Sequence, residues 1–155
     1  MSQYAAIVPL ILLIILFVLL TVAGHLQMPF AFGWWTSLRI ALAGMFLLTA
    51  SAHWGKRRPD LIRMVPPFFP HPDLLVTVTG ILEVLGALGL MLPRFASYAA
   101  LGLSVMLLSV FPANIHAARQ HLSIAGSPVP RLLPRTLIQI AFLAATVAVF
   151  VGGRH

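Results

Sequence analysis

LLVTVTGILEVLGALGLML, residues 74–92, holds a single charged side chain, Glu83, near its middle. As a helix rising about 1.5 Å per residue, such a run matches a hydrocarbon core of about 30 Å. A carboxylate at that depth costs a few kcal/mol or more, and it is retained where it does something. Thr79, Gly80, Glu83, Gly86, Ala87 and Leu90 recur at steps of three and four. The spacing therefore puts a small-residue face beside the carboxylate, where a neighbouring helix can approach closely. Three states of Glu83 are open. It is a protonated acid hydrogen-bonded to a Thr, Asn or Gln; an ion paired with Arg39 or another base; or a proton carrier or ligand for a polar substrate.

The composition extends this reading to all 155 residues. Hydrophobic residues make up 60% and charged residues 8%, against roughly 25% charged in a soluble domain. Such a chain cannot cover a water-facing surface, and one integral membrane domain, 1–155, is expected. The net charge of +7 does not point to nucleic acid, because the basic residues sit at the ends of apolar runs and not along a polar stripe. Their expected partners are phospholipid headgroups. Cysteine is absent, which excludes disulfides, thiol exchange and Cys-ligated metal within this chain.

The expected fold is all-α, with five spans at about 4–24, 36–54, 73–92, 95–118 and 132–151. The first, YAAIVPLILLIILFVLLTVAG, is long for the apolar core of a signal peptide. Residues 1–4 carry no Lys or Arg, so its retention is expected. Trp34 and Trp35 suit an interfacial aromatic belt. In the second span Arg39, Ala43, Phe46, Ala50 and His53 share one helical face, which should look into the bundle. Prolines 66, 67, 70 and 72 prevent one continuous helix across 55–72, a stretch expected at the membrane interface or folded back over the bundle. Asp73 is the expected N-cap of the third span, and Pro93-Arg94 a tight turn. Pro112 should leave the carbonyl of Leu108 without its helical partner.

Charge then orients the chain. With a cytoplasmic N-terminus, Lys56, Arg57, Arg58, Arg63, Arg119, Arg131 and Arg135 lie inside, and Arg39, Arg94 and Arg154 outside. This favours N-in, C-out, in a bacterial plasma (inner) membrane. His53, Asn114, His116 and Gln139 fall toward the cytoplasmic side, above Glu83, with Arg39 on the opposite side. Thr49, Ser51, Thr79, Ser104 and Ser109 are candidate lining groups of a cytoplasm-facing pocket with Glu83 at its floor. His53 and His116 lie on different helices near one leaflet, the arrangement a haem needs. They lack a ligand-spacing motif, so neither haem nor another metal is expected. Arg57 and Arg58 read first as topology signals.

ALAGMFLLTASAHW, LIRMVPPFFPHPDLLVTVTGILEVLGALGLMLPR and FPANIHAAR together resemble the DoxX family of small membrane proteins. The order His53, Met64-Val65-Pro66, Gly80-x-x-Glu83, Pro93-Arg94 and Phe111-Pro112-Ala113-Asn114 carries the resemblance over residues 36–120. It implies a four-helix bundle core, here behind one additional N-terminal span. It marks His53, Glu83, Asn114 and His116 and brings in a quinone, since the family takes its name from a subunit of a thiosulfate:quinone oxidoreductase. Other members are linked to membrane thiol and oxidative-stress systems, and distant animal relatives are assembly chaperones for receptor channels.

The expected function is a membrane subunit or accessory protein of a redox system, quinone-linked through a polar site around Glu83, and not a stand-alone enzyme. The expected partners are the bilayer, a membrane or membrane-associated redox protein, and further copies of the chain. A chaperone or scaffold for other transmembrane helices is the main alternative. A small transporter or proton pathway is the third, though the outer halves of the helices offer no continuous polar path.

Overall fold

The computed structural model describes residues 7–26, 33–120, 122–124, 127–128 and 132–152. The first residues of span one, positions 27–32 of the first connection, and His121, Arg131, Arg154 and His155 lie outside them.

The architecture is helical: α1 (Val8–His25), α2 (Trp34–Ser51), α3 (Arg58–Met64), α4 (Pro72–Met91), α5 (Ala96–Ser109), α6 (Phe111–Arg119) and α7 (Leu132–Gly152). Between α6 and α7, β1 (Ser123–Ile124) and β2 (Ser127–Pro128) form a two-residue antiparallel ladder with Ser123 opposite Pro128. Among the described residues, four helices are long and apolar enough to cross a membrane: α1, α4, the run Ala96–Arg119 made by α5 and α6, and α7.

The fifth long helix, α2, is the least apolar of the set and the most enclosed. It carries Thr36, Ser37, Arg39, Gly44, Thr49 and Ser51, and eight of its residues are buried. It packs against α1, α4 and α7, while α4 meets α5 and α5 meets α7. Helices α2, α4, α5 and α7 thus close a four-membered ring, and α1 lies outside it against α2. A helix covered by neighbours does not need an apolar surface on every side; a helix at the rim does. Accordingly α1 buries only Leu13 and exposes Ile14, Ile15, Val18, Leu19 and Val22. Phe17 of α1 meets Trp34 of α2 edge-on, 5.6 Å between ring centroids.

The core is small-grained. Ala41, Ala43, Ala87, Ala100 and Ala117 are buried to 2% exposure or less, alongside Phe46, Leu42, Met45 and Leu90. Larger aliphatics such as Leu85, Val105, Leu108, Leu137 and Ile140 point outward. Small residues inside and branched apolar residues outside is the distribution of a bundle solvated by lipid chains, where close backbone approach replaces hydrophobic exclusion as the packing force. Exposed aromatics stand near the helix ends, with Trp34 and Trp35 at one end and Trp54 and Phe68 at the other, as in interfacial belts.

Three local expectations change. The stretch 55–72 contains a helix, α3, which starts at Arg58-Pro59 because proline is tolerated in a first turn. Met64 is buried, and α3 folds back against α4 and α6. Asp73 is not the N-cap of α4. His71 takes that place in a left-handed conformation, φ 53°, with Pro72 opening the helix and Asp73 in its first turn. The pre-proline position disfavours right-handed helical backbone, and there the carboxylate still complements the helix dipole. The fourth span is two helices: it breaks at Val110, immediately before Phe111-Pro112.

Candidate functional site

Glu83 projects from α4 toward α2, and the residue it meets is His53. Glu83 Oε2 and His53 Nδ1 are 3.8 Å apart, with side chains only 13% and 12% exposed. His53 lies just past the end of α2, held by its N–H to the Ala50 carbonyl at 2.9 Å. Gly80, one turn before Glu83, makes the approach possible. A Cβ there would fall 2.7 Å from His53 Cβ and 3.0 Å from the Trp54 ring. The Gly80-x-x-Glu83 spacing therefore lets an imidazole lie over α4 and places a carboxylate beside it. Thr49, one turn back on α2, lies beside the same carboxyl, while its hydroxyl donates to the Phe46 carbonyl at 3.0 Å.

The separation of 3.8 Å is too long for a direct hydrogen bond. Glu83 Oε2 and His53 Nδ1 are both buried, and neither has a hydrogen-bond partner among the described residues. Two buried polar atoms facing each other across that gap can jointly hold a polar group that reaches both.

Arg58 closes the nearby end of this seam. Its guanidinium donates to the His53 carbonyl at 2.9 Å, the Asp73 carbonyl at 3.1 Å and Thr77 Oγ1 at 2.9 Å. One side chain at the start of α3 thus ties the end of α2 to the first turns of α4. Its role goes beyond a topology signal, and nothing in the local spacing indicates this, because its three acceptors come from segments brought together only by the fold.

A second polar cluster lies between α6 and α7. Arg135 donates to Asn114 Oδ1, Asn114 Nδ2 donates to Gln139 Oε1 at 2.6 Å, and Gln139 Nε2 donates to the Leu107 carbonyl. At the helix break Gln139 thus satisfies the carbonyl of Leu107, the neighbour of the Leu108 carbonyl that Pro112 leaves without its helical donor. Gln139 is 8% exposed. Arg135 is the member sequence reasoning missed, although Arg135 and Gln139 stand at i, i+4 on one face of α7.

The expected residues therefore fall into separate places, not one ring above Glu83. His53 joins Glu83. Asn114 joins Gln139 and Arg135. His116 is half-buried on α6, and its side chain makes no hydrogen bond among the described residues. Arg39 is ten residues along α2 from Thr49, about 15 Å of helix, so it is not the partner of Glu83. Of the candidate lining hydroxyls, only Thr49 faces the carboxyl. Ser51, Thr79 and Ser109 bond to carbonyls of their own helices, and Ser104 Oγ meets Thr146 Oγ1 of α7 at 2.9 Å in the core.

A ring of helices with small residues inside, apolar side chains outside and two polar seams defines the class: an α-helical bundle suited to a bilayer. The chain belongs to the family described as a domain of unknown function (DUF8561), which matches residues 42–150. That span takes in His53, Glu83, Asn114, Arg135 and Gln139, and leaves α1 and Arg39 outside. No curated protein and no solved structure matches the chain.

Proposed function

We propose that the chain is a DoxX-like, five-span protein of a bacterial plasma membrane, with its N-terminus in the cytoplasm and its C-terminus outside. In this reading it serves as a membrane subunit or accessory protein of a quinone-linked redox system, and the seam between Glu83 and His53 is its site. The observation that carries the reading is the pair of buried atoms without hydrogen-bond partners among the described residues, Glu83 Oε2 and His53 Nδ1, facing each other at 3.8 Å.

A quinone headgroup fits that pair. Its carbonyl oxygens only accept hydrogen bonds, and a carboxylic acid or an imidazole N–H donates one. A quinol hydroxyl donates back to a carboxylate or a bare imidazole nitrogen. Whichever of the two residues carries the proton, the other supplies the complementary function, so the pair serves both redox states of the ligand. The chain has no cysteine, so no thiol of its own supplies electrons; in this reading they come from the partner enzyme. Thr49 orients the carboxyl, and Arg58 holds the end of α2 against α4.

Native mass spectrometry of the full chain from gently solubilised membranes tests the reading. The expected result is a co-purified quinone or a redox partner, with the quinone lost in both Glu83→Leu and His53→Leu. Absence of quinone and redox partner alike counts against it. A scaffold for other transmembrane helices is the second reading, favoured by Gly102 on the outward face of α5, beside which a Cβ would meet nothing. It expects Glu83→Gln to alter partner assembly with no bound quinone to lose.

A further inference from the structure

Arg135 is a half-buried cation with no counter-ion among the described residues. Its Nε is enclosed, and among the described residues that atom has no hydrogen-bond partner and the one acceptor the guanidinium meets is a neutral amide, Asn114 Oδ1. The sequence contains only three acidic side chains, Asp60, Asp73 and Glu83. Asp60 pairs with Arg63 and Glu83 faces His53, while Asp73 sits in the first turn of α4. Among the described residues, none of the three forms an ion pair with Arg135. Asn114 cannot turn to offer more, because its amide nitrogen is committed to Gln139, and Gln139 is committed to the Leu107 carbonyl.

A guanidinium presents five donors in a planar fork suited to phosphate and carboxylate oxygens. Leaving one enclosed beside a single neutral acceptor is unfavourable, and an anion arriving from outside the chain relieves it. The surroundings favour the same sign of ligand. Arg135 is the fourth residue of α7, near the positive end of that helix. Arg57, Arg58, Arg63 and Arg119 lie at the same end of the bundle.

We propose that the corner formed by Arg135 and Asn114 is a binding site for a phosphate-bearing anion, with the Arg135 guanidinium as the recognition group. The site is independent of the Glu83–His53 seam and stands whether or not that seam takes a quinone. An anionic phospholipid headgroup and a free phosphate share the required chemistry, and the experiment separates them.

The full chain, delipidated in a neutral detergent, is mixed with phosphatidylglycerol or phosphatidylcholine and examined by native mass spectrometry. Inorganic phosphate binding is followed in parallel by calorimetry. Wild type is expected to retain one phosphatidylglycerol at least tenfold more strongly than phosphatidylcholine. Arg135→Gln removes that preference, and Arg57→Gln, at an exposed base of the same end, leaves it intact. Phosphate binding that depends on Arg135 without lipid selectivity identifies the soluble source and equally supports the site. Asn114→Asp provides a second route if Arg135→Gln fails to fold: it keeps the guanidinium, supplies an internal carboxylate, and is expected to lower anion affinity at least tenfold. Absence of both preferences in wild type, or anion binding unchanged in the variants, overturns the proposal.

Discussion

Gly80 shows how much of the site rests on one missing methyl group. A methyl at this position would meet His53 Cβ and Cγ and the Trp54 ring within 3.0 Å, and these atoms belong to the turn that Arg58 pins. Gly80→Ala is therefore expected to destabilise the bundle by about 1 to 3 kcal/mol, the usual cost of overpacking a tight contact, and to separate His53 from Glu83. A thermal melt in detergent reads the first effect and loss of ligand retention the second. A wild-type melting temperature with intact binding would show that the contact is slack. At the same scale, Glu83 was legible from sequence alone as a candidate, since it is the one carboxylate in an apolar run. Its partner was not. Helical spacing puts Arg39 and His53 on one face of the second span, and only the antiparallel register of α2 against α4, with His53 in the turn just past α2, decides which of them reaches position 83.

At the scale of the element, the two polar seams differ in what their hydrogen bonds sustain. Ser104 and Thr146 link α5 to α7, but each also lies within hydrogen-bonding distance of a carbonyl of its own helix. Ser104→Ala should cost only about 0.6 kcal/mol, the average for such interhelical bonds. Gln139→Leu strands the Leu107 carbonyl and Asn114 Nδ2 together, and leaving a buried group unsatisfied costs about 1 to 3 kcal/mol. Comparing the two variants by denaturation in mixed micelles checks the order; a larger loss at Ser104 would contradict it. Arg58→Ala is expected to release α3, raising amide exchange over residues 58–64 by at least tenfold while leaving α5 and α7 unchanged. The proline pattern of 55–72 showed that no long helix runs there. It did not show α3, because a seven-residue helix is held by its docking surface and not by its own propensity. Pro112 marked the break in the fourth span, but the carbonyl that needs repair depends on where the next helix restarts.

For the whole molecule, hydropathy found every long helix, and the face assignments on α2 and α4 agree with the burial of Ala43, Phe46, Ala50, Gly80, Ala87 and Leu90. The DoxX resemblance implies a four-helix bundle behind an N-terminal span; the closed ring of α2, α4, α5 and α7 is read from the structure, since the apolar runs alone do not say which helices touch. Orientation is open to a direct check because the chain has no native cysteine. Lys56→Cys and Arg94→Cys stand at opposite ends of the bundle. A membrane-impermeant thiol reagent added to intact cells should label Arg94→Cys only, and labelling of Lys56→Cys instead would reverse the topology. The account as a whole depends on the Glu83–His53 seam holding a ligand. Trp54, with its ring 6.1 Å from that of His53, is a built-in reporter for it. In a variant with Trp34→Phe and Trp35→Phe, titration with a short-chain quinone should quench Trp54 fluorescence saturably. The midpoint should rise at least tenfold in Glu83→Leu and in His53→Leu. Quenching that never saturates, or a midpoint that neither substitution moves, would contradict the assignment of the site.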